Sequence, residues 1–329
     1  MPFKVSIAMA TYNGSAYIKE QIDSFIKQTR RPDELVITDD CSTDNTLAII
    51  EDIQKKAPFK IIFSQNQERL GYSSNFNAAL SRTTGDIIFL SDQDDVWFPE
   101  KIEKTLKLFS EKPEIELIIN DVEITGEFLK PTGVSKLKQI QRSGYEEDLF
   151  VMGCAVSVRR SHLEMCLPIP KNEALSHDSW IVDIAQALGV KLINKEILQY
   201  YRRHENNTSE AVFNTTLPVK KLNVYKKAFS MRKKSNKLEL LEKKIYIKEL
   251  ERIHSKIPIE FKEKLNLYIE RKKSILALSA YRREIRKQKF TSRFFMSSKL
   301  LYQGDYKKAN GFKSFLIDII TRSPAITEE

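Results

Sequence analysis

"FLSDQDDVWFPEKI", residues 89–102, places Asp92, Asp94 and Asp95 directly after an apolar run. The run itself, residues 86–92, has the β-branched, apolar composition that is typical of a buried strand. Neighbouring carboxylates repel one another unless a cation or a hydrogen-bond network offsets their charge. The stretch therefore predicts a buried strand that ends in a loop with a chemical task, and a divalent metal ion is the simplest explanation for its charge.

Strands and helices alternate through the first 121 residues. Short apolar runs predict strands at residues 4–10, 34–40, 59–64, 86–92 and 115–121. The segments between them repeat apolar residues every three or four positions, which predicts helices at residues 16–28, 45–56, 75–84 and 99–112. This order predicts an α/β fold, a doubly wound and mostly parallel sheet with flanking helices, and such sheets bind ligands at the carboxyl ends of their strands.

The remaining sequence is less regular. Residues 149–160 predict a strand or a strand pair, residues 179–189 a helix that ends at Gly189, and residues 190–207 further short strands and a loop. From residue 217 the chain is rich in Lys and has helical periodicity. In its last segment Phe312, Phe315, Leu316 and Ile319 recur at helical spacing, which predicts that this stripe packs on the rest of the protein or on a neighbouring helix.

The charge is divided unevenly along the chain. Residues 1–216 carry 25 basic and 32 acidic side chains, whereas residues 217–329 carry 29 basic and 12 acidic ones. We therefore predict two regions, an acidic catalytic domain over 1–216 and a basic amphipathic helical region over 217–329. Basic faces attract anionic lipid or nucleic acid, and a solvated Lys-rich helical surface is the simpler alternative. The tail shows no nucleic-acid-binding module or basic face interleaved with aromatics, so we expect no nucleic-acid partner.

Cysteine usage and hydropathy indicate the compartment. Cys41, Cys154 and Cys166 are far apart and form no C-x-x-C pair, so neither a disulfide framework nor a zinc site is indicated. The first residues read as a strand rather than as a signal peptide, and no apolar run reaches the ~18 residues needed to cross a bilayer. We expect a protein of a reducing, cytoplasmic compartment.

Acidic residues collect at the predicted strand ends. Asp39 and Asp40 end the second strand, Asp92 the fourth and Asp121 the fifth. A single Asp at such a position is common in turns and helix caps. The chain contains no G-x-G-x-x-G and no G-x-x-x-x-G-K-[ST] sequence, so backbone amides of a Gly-rich loop are not available to bind phosphate. Carboxylates and Mn²⁺ or Mg²⁺ would then hold a nucleotide diphosphate.

Eight motifs carry a family resemblance. They are, in order, "VSIAMATYNG", "ITDDCSTDNT", "RLGYSSNFNAAL", "GDIIFLSDQDDVWFPEKI", "MGCAVSVRR", "LPIP", "HDSW" and "YYRRHENN". In this order they resemble the family 2 glycosyltransferases of the GT-A fold, and most of all the bacterial rhamnosyltransferase-like enzymes of polysaccharide assembly. The likeness covers residues 3–208. It departs at Cys41, where many members have Gly.

The resemblance implies a donor site and a metal site. The residues it places on the nucleotide-sugar are Thr11, Tyr12, Asn13, Asp40, Arg69, Asn77, Asp92, Gln93, Arg202 and Arg203. Asp40 resembles the acceptor of the N3–H of uracil or thymine, which both pyrimidines offer. Asp94, the second acid of D-x-D, and His204 resemble the metal ligands, for which Mn²⁺ or Mg²⁺ is expected. Asp95 is expected to cap the helix that begins near Pro99.

Asp178 resembles the general base of inverting members. A carboxylate on the acceptor side of the sugar is needed to take the proton of the attacking hydroxyl. The alternative is that Ser176 or Asp178 only caps the following helix, and one residue can do both. The residues that the resemblance places on the acceptor or sugar side are Gly153, Cys154, His177 and Trp180.

The expected activity is inverting, metal-dependent transfer of a sugar. The resemblance implies dTDP-rhamnose as the donor, with a UDP-hexose or UDP-HexNAc as the alternative. It implies a lipid-linked saccharide as the acceptor, at the inner face of the cell membrane during surface polysaccharide synthesis. The basic region is expected to bind an anionic membrane surface, and a homo-oligomer is possible. A non-catalytic scaffold is the other alternative, but all the motif acids are retained.

Overall fold

A computed structural model describes residues 3–143, 147–171, 175–205, 207, 214–218, 236–309 and 311–321. The chain divides into two compact units, Met1–Ser230 and Met231–Glu329. The predicted boundary between residues 216 and 217 stays a prediction, because residues 219–235 lie outside the described residues.

The first unit alternates strands and helices, as the periodicity predicts. Its strands are β1 (Val5–Thr11), β2 (Glu34–Asp39), β3 (Lys60–Gln65), β4 (Ile87–Ser91), β5 (Val96–Trp97), β6 (Leu117–Thr125), β7 (Val156–Arg159) and β8 (Lys191–Arg202). Its helices are α1 (Ile18–Ile26), α2 (Thr46–Gln54), α3 (Tyr72–Leu80), α4 (Lys101–Glu111), α5 (Lys136–Ser143), α6 (Arg160–Cys166) and α7 (His177–Leu188).

The eight strands form one mixed sheet in the order β3-β2-β1-β4-β7-β6-β8-β5. The pairs β3/β2, β2/β1, β1/β4 and β6/β8 are parallel, whereas β7 pairs antiparallel with β4 and β6, and β5 antiparallel with β8. Because β1, β2 and β4 run in parallel, Thr11, Asp39 and Ser91 reach the same edge of the sheet. The loops that follow these residues form the candidate site.

Alternate residues of the strands face two layers of helices. Val5, Ile7 and Met9 of β1 are fully buried in a cluster that also contains residues of α1, α2 and α4. The intervening Ala8 is buried as well, and α3 packs on β1 and β2. Side chains of a strand point alternately to opposite faces, so both faces of the sheet are covered. The predicted flanking helices are therefore confirmed.

Three elements differ from the predicted ones. Residues 149–160 contain one short 3-10 turn, Gly153–Ala155, before the single strand β7, and a second 3-10 turn, Glu147–Leu149, ends at their first residue. In the segment predicted to form several short strands, Lys191–Arg202 form one long strand, β8. The two-residue strand β5 follows the DQDD sequence directly and pairs with β8 at Tyr200 and Gln199, which brings the end of β8 to the acidic loop.

The second unit consists of helices in its described residues. These are α8 (Asn236–Ile253), α9 (Ile259–Lys287), α10 (Phe290–Tyr302) and α11 (Phe312–Ile320). The last three pack around a core of Leu278, Ile285, Leu300, Tyr306, Phe315 and Ile319. Across the described ranges, no helix combines the length and the apolar character that a membrane span requires.

Asp318 connects elements of the second unit through buried polar contacts. The Arg282 guanidinium donates to both carboxylate oxygens of Asp318, at 2.5 and 3.1 Å, and the Tyr306 hydroxyl donates at 2.9 Å. Asp318 is fully buried and also lies 3.5 Å from Arg286. Hydrogen bonds from an arginine and a phenol offset the desolvation of this carboxylate.

Candidate active site

The three acids of the DQDD loop have separate environments. The Asp94 side chain meets residues that follow β8, whereas Asp95 is fully buried beneath it. Asp92 is partly exposed at the end of β4. Burial and then the nearby carboxylates of Asp94, Asp95 and Asp178 raise the pKa of Asp92 well above its ordinary value. The loop is therefore a concentration of negative charge that a bound cation would stabilise.

Asp94 meets His204 and Asn207 across the site. Nε2 of His204 lies 2.8 Å from Oδ2 of Asp94, and Nδ2 of Asn207 donates to the same oxygen at 3.1 Å. The Asn207 side chain also accepts from the backbone amide of His204 at 2.7 Å, which fixes the turn that carries the imidazole. The two predicted metal ligands are thus adjacent.

Tyr17 packs on the imidazole of His204. Their ring centroids are 4.6 Å apart, and the Tyr17 hydroxyl donates to Glu127 at 2.9 Å. Tyr17, Glu127, Arg203, His204 and Glu205 line an open cleft of about 510 Å³. Tyr17, Glu127 and Asn207 were not predicted from the sequence, although Asn207 lies inside the motif "YYRRHENN".

Arg202 is a buried positioning residue. Its Nε donates to the backbone carbonyl of Asp94 at 2.7 Å, and its other guanidinium nitrogens bind the carbonyl of Glu127 and the carboxylate of Glu20. Its guanidinium carbon also lies 4.8 Å from the centroid of the Tyr17 ring. These contacts hold the loop of Asp94, while the predicted contact of Arg202 with the diphosphate stays a prediction. Arg203 lines the cleft.

Asp95 joins the acidic loop to β8 rather than capping a helix. Its two oxygens accept from Nε2 of Gln199 at 2.9 Å and from the backbone amide of Arg202 at 3.1 Å. The helix α4 begins at Lys101 behind Glu100, and among the described residues Glu100 makes no side-chain capping bond. The predicted cap is therefore wrong, because β5 carries Asp95 toward β8 instead of toward α4.

Cys154 lies behind the acids, away from solvent. One oxygen each of Asp92 and Asp95 and the Cys154 sulfur lie within 4.8 Å of one another. Burial raises the pKa of this thiol well above its ordinary value, and Asp95 and Asp92 raise it further. A protonated thiol is a poor ligand for Mn²⁺ or Mg²⁺, which prefer oxygen. Cys154 therefore supports Asp95, and its predicted contact with a sugar is corrected to a packing role.

Gln93 connects the acidic loop to the end of β1. Its side chain accepts from the backbone amide of Tyr12 and donates to the Tyr12 carbonyl, both at 3.0 Å. A Cβ at Gly14 would stand 2.2 Å from Oε1 of Gln93, so only glycine leaves room for this pairing. The Arg69 guanidinium lies 4.0 Å from the centroid of the Tyr12 ring. The structure thus brings together three residues predicted on the nucleotide.

Asn13 and Asp39 shape the neighbouring loop. The Thr11 hydroxyl donates to Asp39 at 2.9 Å, and the backbone amide of Ser42 donates to the same carboxylate at 2.8 Å. Asn13 accepts from the backbone amide of Thr43 at 2.8 Å. Cys41 has a positive φ of 64°, a conformation that favours glycine and explains why many family members have Gly there.

Asp40 organises the loop that leads into α3. Its carboxylate accepts from the backbone amides of Leu70 at 2.7 Å and Gly71 at 2.9 Å, and from Nδ2 of Asn66 at 3.1 Å. Asn66 in turn donates to Asn75 at 3.0 Å. Asp40 therefore holds the rim of the site, and its predicted pairing with a pyrimidine stays a prediction.

Asp178 lies at the start of α7, on the other side of Asp92. Its Oδ1 accepts from the backbone amide of Ser179 at 2.8 Å, and a Cβ at Gly153 would stand 3.1 Å from its Oδ2. Its charge contributes to the raised pKa values of both Asp92 and Tyr72. Ser176 is the N-cap residue, and Asp178 also binds the first turn.

His177, Trp180 and Asn77 support this side of the site. His177 is buried and stacks on Phe76 with a centroid distance of 3.9 Å. Trp180 is fully buried and donates from Nε1 to the Cys166 carbonyl at 2.9 Å, so its predicted contact with a sugar is corrected to a core role. Asn77 accepts from the backbone amide of Ile169 at 2.8 Å, which holds the "LPIP" turn on α3.

The pair Asp94 and His204 fits a divalent cation. With metal–ligand bonds of about 2.1 Å, adjacent ligands of an octahedral ion are separated by about 3 Å. Asp94 Oδ2 and His204 Nε2 are in hydrogen-bond contact at 2.8 Å, so the two groups are close enough to serve as adjacent ligands of one ion. A carboxylate and a neutral imidazole form a donor set that suits Mn²⁺. Asp94 and His204 would therefore hold the cation.

Known proteins are similar to this chain in sequence and in fold. Residues 6–166 match the family model described as "Glycosyl transferase family 2". The chain is 29% identical over 228 residues to a glycosyltransferase of Nostoc sp., covering 65% of this chain and 69% of that protein. It is 29% identical over 217 residues to the dTDP-rhamnosyl transferase RfbG of Shigella flexneri, covering 60% of this chain and 72% of that protein.

Two solved structures have a similar fold. The S. aureus TarS structure in complex with UDP-GlcNAc gives a TM-score of 0.54 at 19% identity, covering 84% of this chain and 87% of that one. The mannosyltransferase PcManGT from Pyrobaculum calidifontis, in complex with GDP-Man and Mn²⁺, gives 0.50 at 15% identity, covering 97% and 87%. The sheet and its acidic edge thus define a glycosyltransferase of the GT-A fold.

The family follows from the sequence match within this fold. Residues 6–166 are a family 2 glycosyltransferase domain, and the chain is a nucleotide-sugar glycosyltransferase. The predicted family and fold class are confirmed.

Proposed function

We propose that this glycosyltransferase works by metal-dependent, inverting single displacement. The observation that carries the proposal is the separation of its acids. Asp94 pairs with His204 at 2.8 Å, whereas Asp178 lies at the start of α7, where its carboxylate accepts from the backbone amide of Ser179 and a Cβ at Gly153 would stand 3.1 Å from it. One acid can then serve the diphosphate while the other serves the acceptor.

The proposed reaction moves one proton and exchanges one bond. The acceptor hydroxyl oxygen forms a bond to the anomeric carbon as the bond from that carbon to the diphosphate oxygen breaks. Asp178 takes the hydroxyl proton. When bound, a divalent cation supplies positive charge that stabilises the leaving diphosphate. Asp94 and His204 would hold it, and Arg203 at the cleft adds a further positive group.

The proposed donor is dTDP-rhamnose. The resemblance to RfbG, described as a dTDP-rhamnosyl transferase, supports it. A UDP-hexose or UDP-HexNAc is the alternative, supported by the fold of TarS bound to UDP-GlcNAc. In either case Asp40 would accept the N3–H of the pyrimidine, in addition to the loop amides that it already binds.

The proposed acceptor is a lipid-linked saccharide at the inner face of the cell membrane. The basic composition of the C-terminal region supports this location, because clustered Lys and Arg attract anionic lipid. The product would extend a surface polysaccharide.

A donor screen tests the proposed substrate. Purified protein is incubated with Mn²⁺ or Mg²⁺ and a panel of UDP-, dTDP- and GDP-sugars, and thermal stabilisation and sugar release are measured. We expect dTDP-rhamnose to give the largest response, and chelation of the metal to abolish it. A preference for GDP-sugars would contradict the role of Asp40, and full activity in chelator would contradict the metal site.

Two variants test the division of roles. Asp94→Ala and Asp178→Ala should each lower transfer by at least about 100-fold, the usual contribution of a general base or a metal site. Asp178→Ala should still bind nucleotide diphosphate with metal, whereas Asp94→Ala should not. Equal loss of nucleotide binding in the two folded variants would refute the assignment.

A further inference from the structure

The second unit exposes large apolar residues on two neighbouring helices. On α10 they are Phe290, Phe294, Phe295, Leu301 and Tyr302, and on α11 they are Phe312, Leu316 and Ile320. We call these sets the α10 ridge and the α11 ridge. Single exposed apolar residues are normal in soluble proteins, but a concentration of them on adjoining elements marks an interaction surface.

Helical spacing shows that both ridges point away from the core. Phe312, Leu316 and Ile320 follow one another at intervals of four, whereas Phe315 and Ile319 of the same helix are buried. Residues four apart lie on one face of a helix. On α10, the ridge members Phe295 and Tyr302 are 73% and 94% exposed, while Leu300 is buried. The prediction that Phe312 and Leu316 pack inward is therefore wrong.

The charge around the ridges is strongly positive. Residues 286–321 contain eight basic side chains, and Asp305 and Asp318 are their only acidic ones. Asp318 is buried with Arg282, and Asp305 pairs with Lys308 at 3.3 Å. The exposed lysines of this segment are Lys287, Lys289, Lys299, Lys307, Lys308 and Lys313. A partner of this surface must therefore accept apolar side chains and also carry negative charge.

We infer that the α10 and α11 ridges insert into the headgroup region of an anionic lipid bilayer. Interfacial helices bury aromatic and aliphatic residues at the boundary of the acyl chains while their lysines bind acidic headgroups. The inference rests on the proposed membrane location and names the residues that make the contact. It does not depend on which sugar the donor carries.

Two other occupants fit the surface less well. A second copy of the chain would bring the same lysines and would be repelled by like charge. Nucleic acid would stack on the aromatic rings, but Leu301, Leu316 and Ile320 have no ring to stack and would stay in contact with water. Aliphatic and aromatic residues together are typical of insertion into lipid.

Vesicle binding by the full chain tests the inference. Cosedimentation is measured with phosphatidylcholine vesicles, with and without about 30% phosphatidylglycerol, at about 0.1 and 0.5 M NaCl. The test variant is Phe295→Gln with Ile320→Gln. The matched control is Phe128→Gln with Ile259→Gln, since these residues are similarly exposed, at 81% and 84%, but lie outside the ridges.

We expect the wild type and the control to bind anionic vesicles, and the test variant to bind at least about tenfold more weakly. High salt should weaken wild-type binding. Equal binding of the two variants would overturn the inference. The inference would also be overturned if none of the proteins bound vesicles and the test variant alone lost concentration-dependent self-association or binding to single-stranded nucleic acid. Donor hydrolysis without acceptor should be equal in all three proteins, so failure of the transferase proposal is detected separately.

Discussion

The imidazole of His204 lies 2.8 Å from the Asp94 carboxylate, although 110 positions separate the two residues. Three contacts produce this approach. The pairing of β5 with β8 brings the two segments together, Arg202 binds the Asp94 carbonyl, and Tyr17 packs on the imidazole. The geometry of the pair therefore depends on residues with no direct part in the chemistry.

Tyr17→Leu should weaken metal use without removing a ligand. Loss of the ring frees the imidazole of His204 to rotate, and disturbing a residue that orients a metal ligand lowers metal affinity by about 10- to 100-fold. The measurement is transfer activity as a function of Mn²⁺ concentration. Tyr17→Phe is the control, because it keeps the ring and loses only the hydrogen bond to Glu127. An unchanged Mn²⁺ requirement in Tyr17→Leu would show that the stacking is incidental.

Gly153→Ala should lower kcat and leave donor binding intact. The added methyl would stand 3.1 Å from both Cβ and Oδ2 of Asp178, which is closer than an ordinary contact and would displace the proposed base. We expect kcat to fall at least about tenfold, because a small misplacement of a reacting group is costly. Donor binding is followed by thermal shift.

Gly126→Ala provides the matched control for this change. A Cβ at Gly126 meets no heavy atom of the described chain within 4 Å. The control should keep wild-type kcat. If Gly153→Ala also kept it, the close packing on Asp178 would have no catalytic importance.

His162 should make the first unit less stable in mild acid. It is fully buried, donates from Nε2 to the Ile181 carbonyl at 3.0 Å, and burial lowers its pKa to about 4. In the unfolded chain His162 has a pKa near the ordinary 6.5, so it binds a proton at a pH where the folded state does not. Stability from this group is complete above pH 6.5 and is lost as the pH falls toward 4, by about 3 kcal/mol across the window.

His162→Gln should flatten that part of the pH dependence, since the amide can keep the hydrogen bond but does not titrate. Urea unfolding followed by tryptophan fluorescence reports on the first unit, because Trp97 and Trp180 are the only tryptophans. His254→Gln is the control and should follow the wild type. A slope in His162→Gln equal to that of the wild type would assign the acid sensitivity to other groups.

Asp318→Asn should destabilise the second unit strongly. The change leaves Arg282 buried without its ionic partner, and breaking a buried pair in this way costs about 3–5 kcal/mol. Asp305→Asn is the control, because its pair with Lys308 is partly exposed and is worth less than about 1 kcal/mol. Thermal unfolding by far-ultraviolet circular dichroism measures both. Equal melting temperatures would contradict the importance of the buried pair.

Periodicity was sufficient to predict the layered α/β fold. The strands β1 to β4 and their helices have regular patterns because both faces of this part of the sheet are covered. β8 has a mixed pattern, with Lys195 and Glu196 exposed in its middle, so its sequence resembles two short strands. β5 has two residues and no periodicity at all. Its pairing with β8 is a tertiary contact that the local sequence does not contain.

Only some residues of the site could be predicted from the sequence. Motifs placed Asp94, His204 and Asp178 apart in the chain, and the fold brings the first two together. Tyr17 carried no signal, since an aromatic residue at the start of a helix is usually part of a core. The family resemblance placed Trp180 on the sugar, yet helical geometry turns its side chain into the core. Its proximity to Asp178 in the sequence did not show the direction in which the Trp180 side chain points.

Arg202 has a consequence for the motions of the site. Its guanidinium joins α1 through Glu20, the acidic loop through Asp94 and the turn after β6 through Glu127. Releasing any one of them would leave a buried cation with an unsatisfied hydrogen-bonding group, which is costly. The three segments should therefore open together, and their backbone amides should exchange with deuterium at one common rate. The donor would then meet either a fully assembled pocket or a fully opened one.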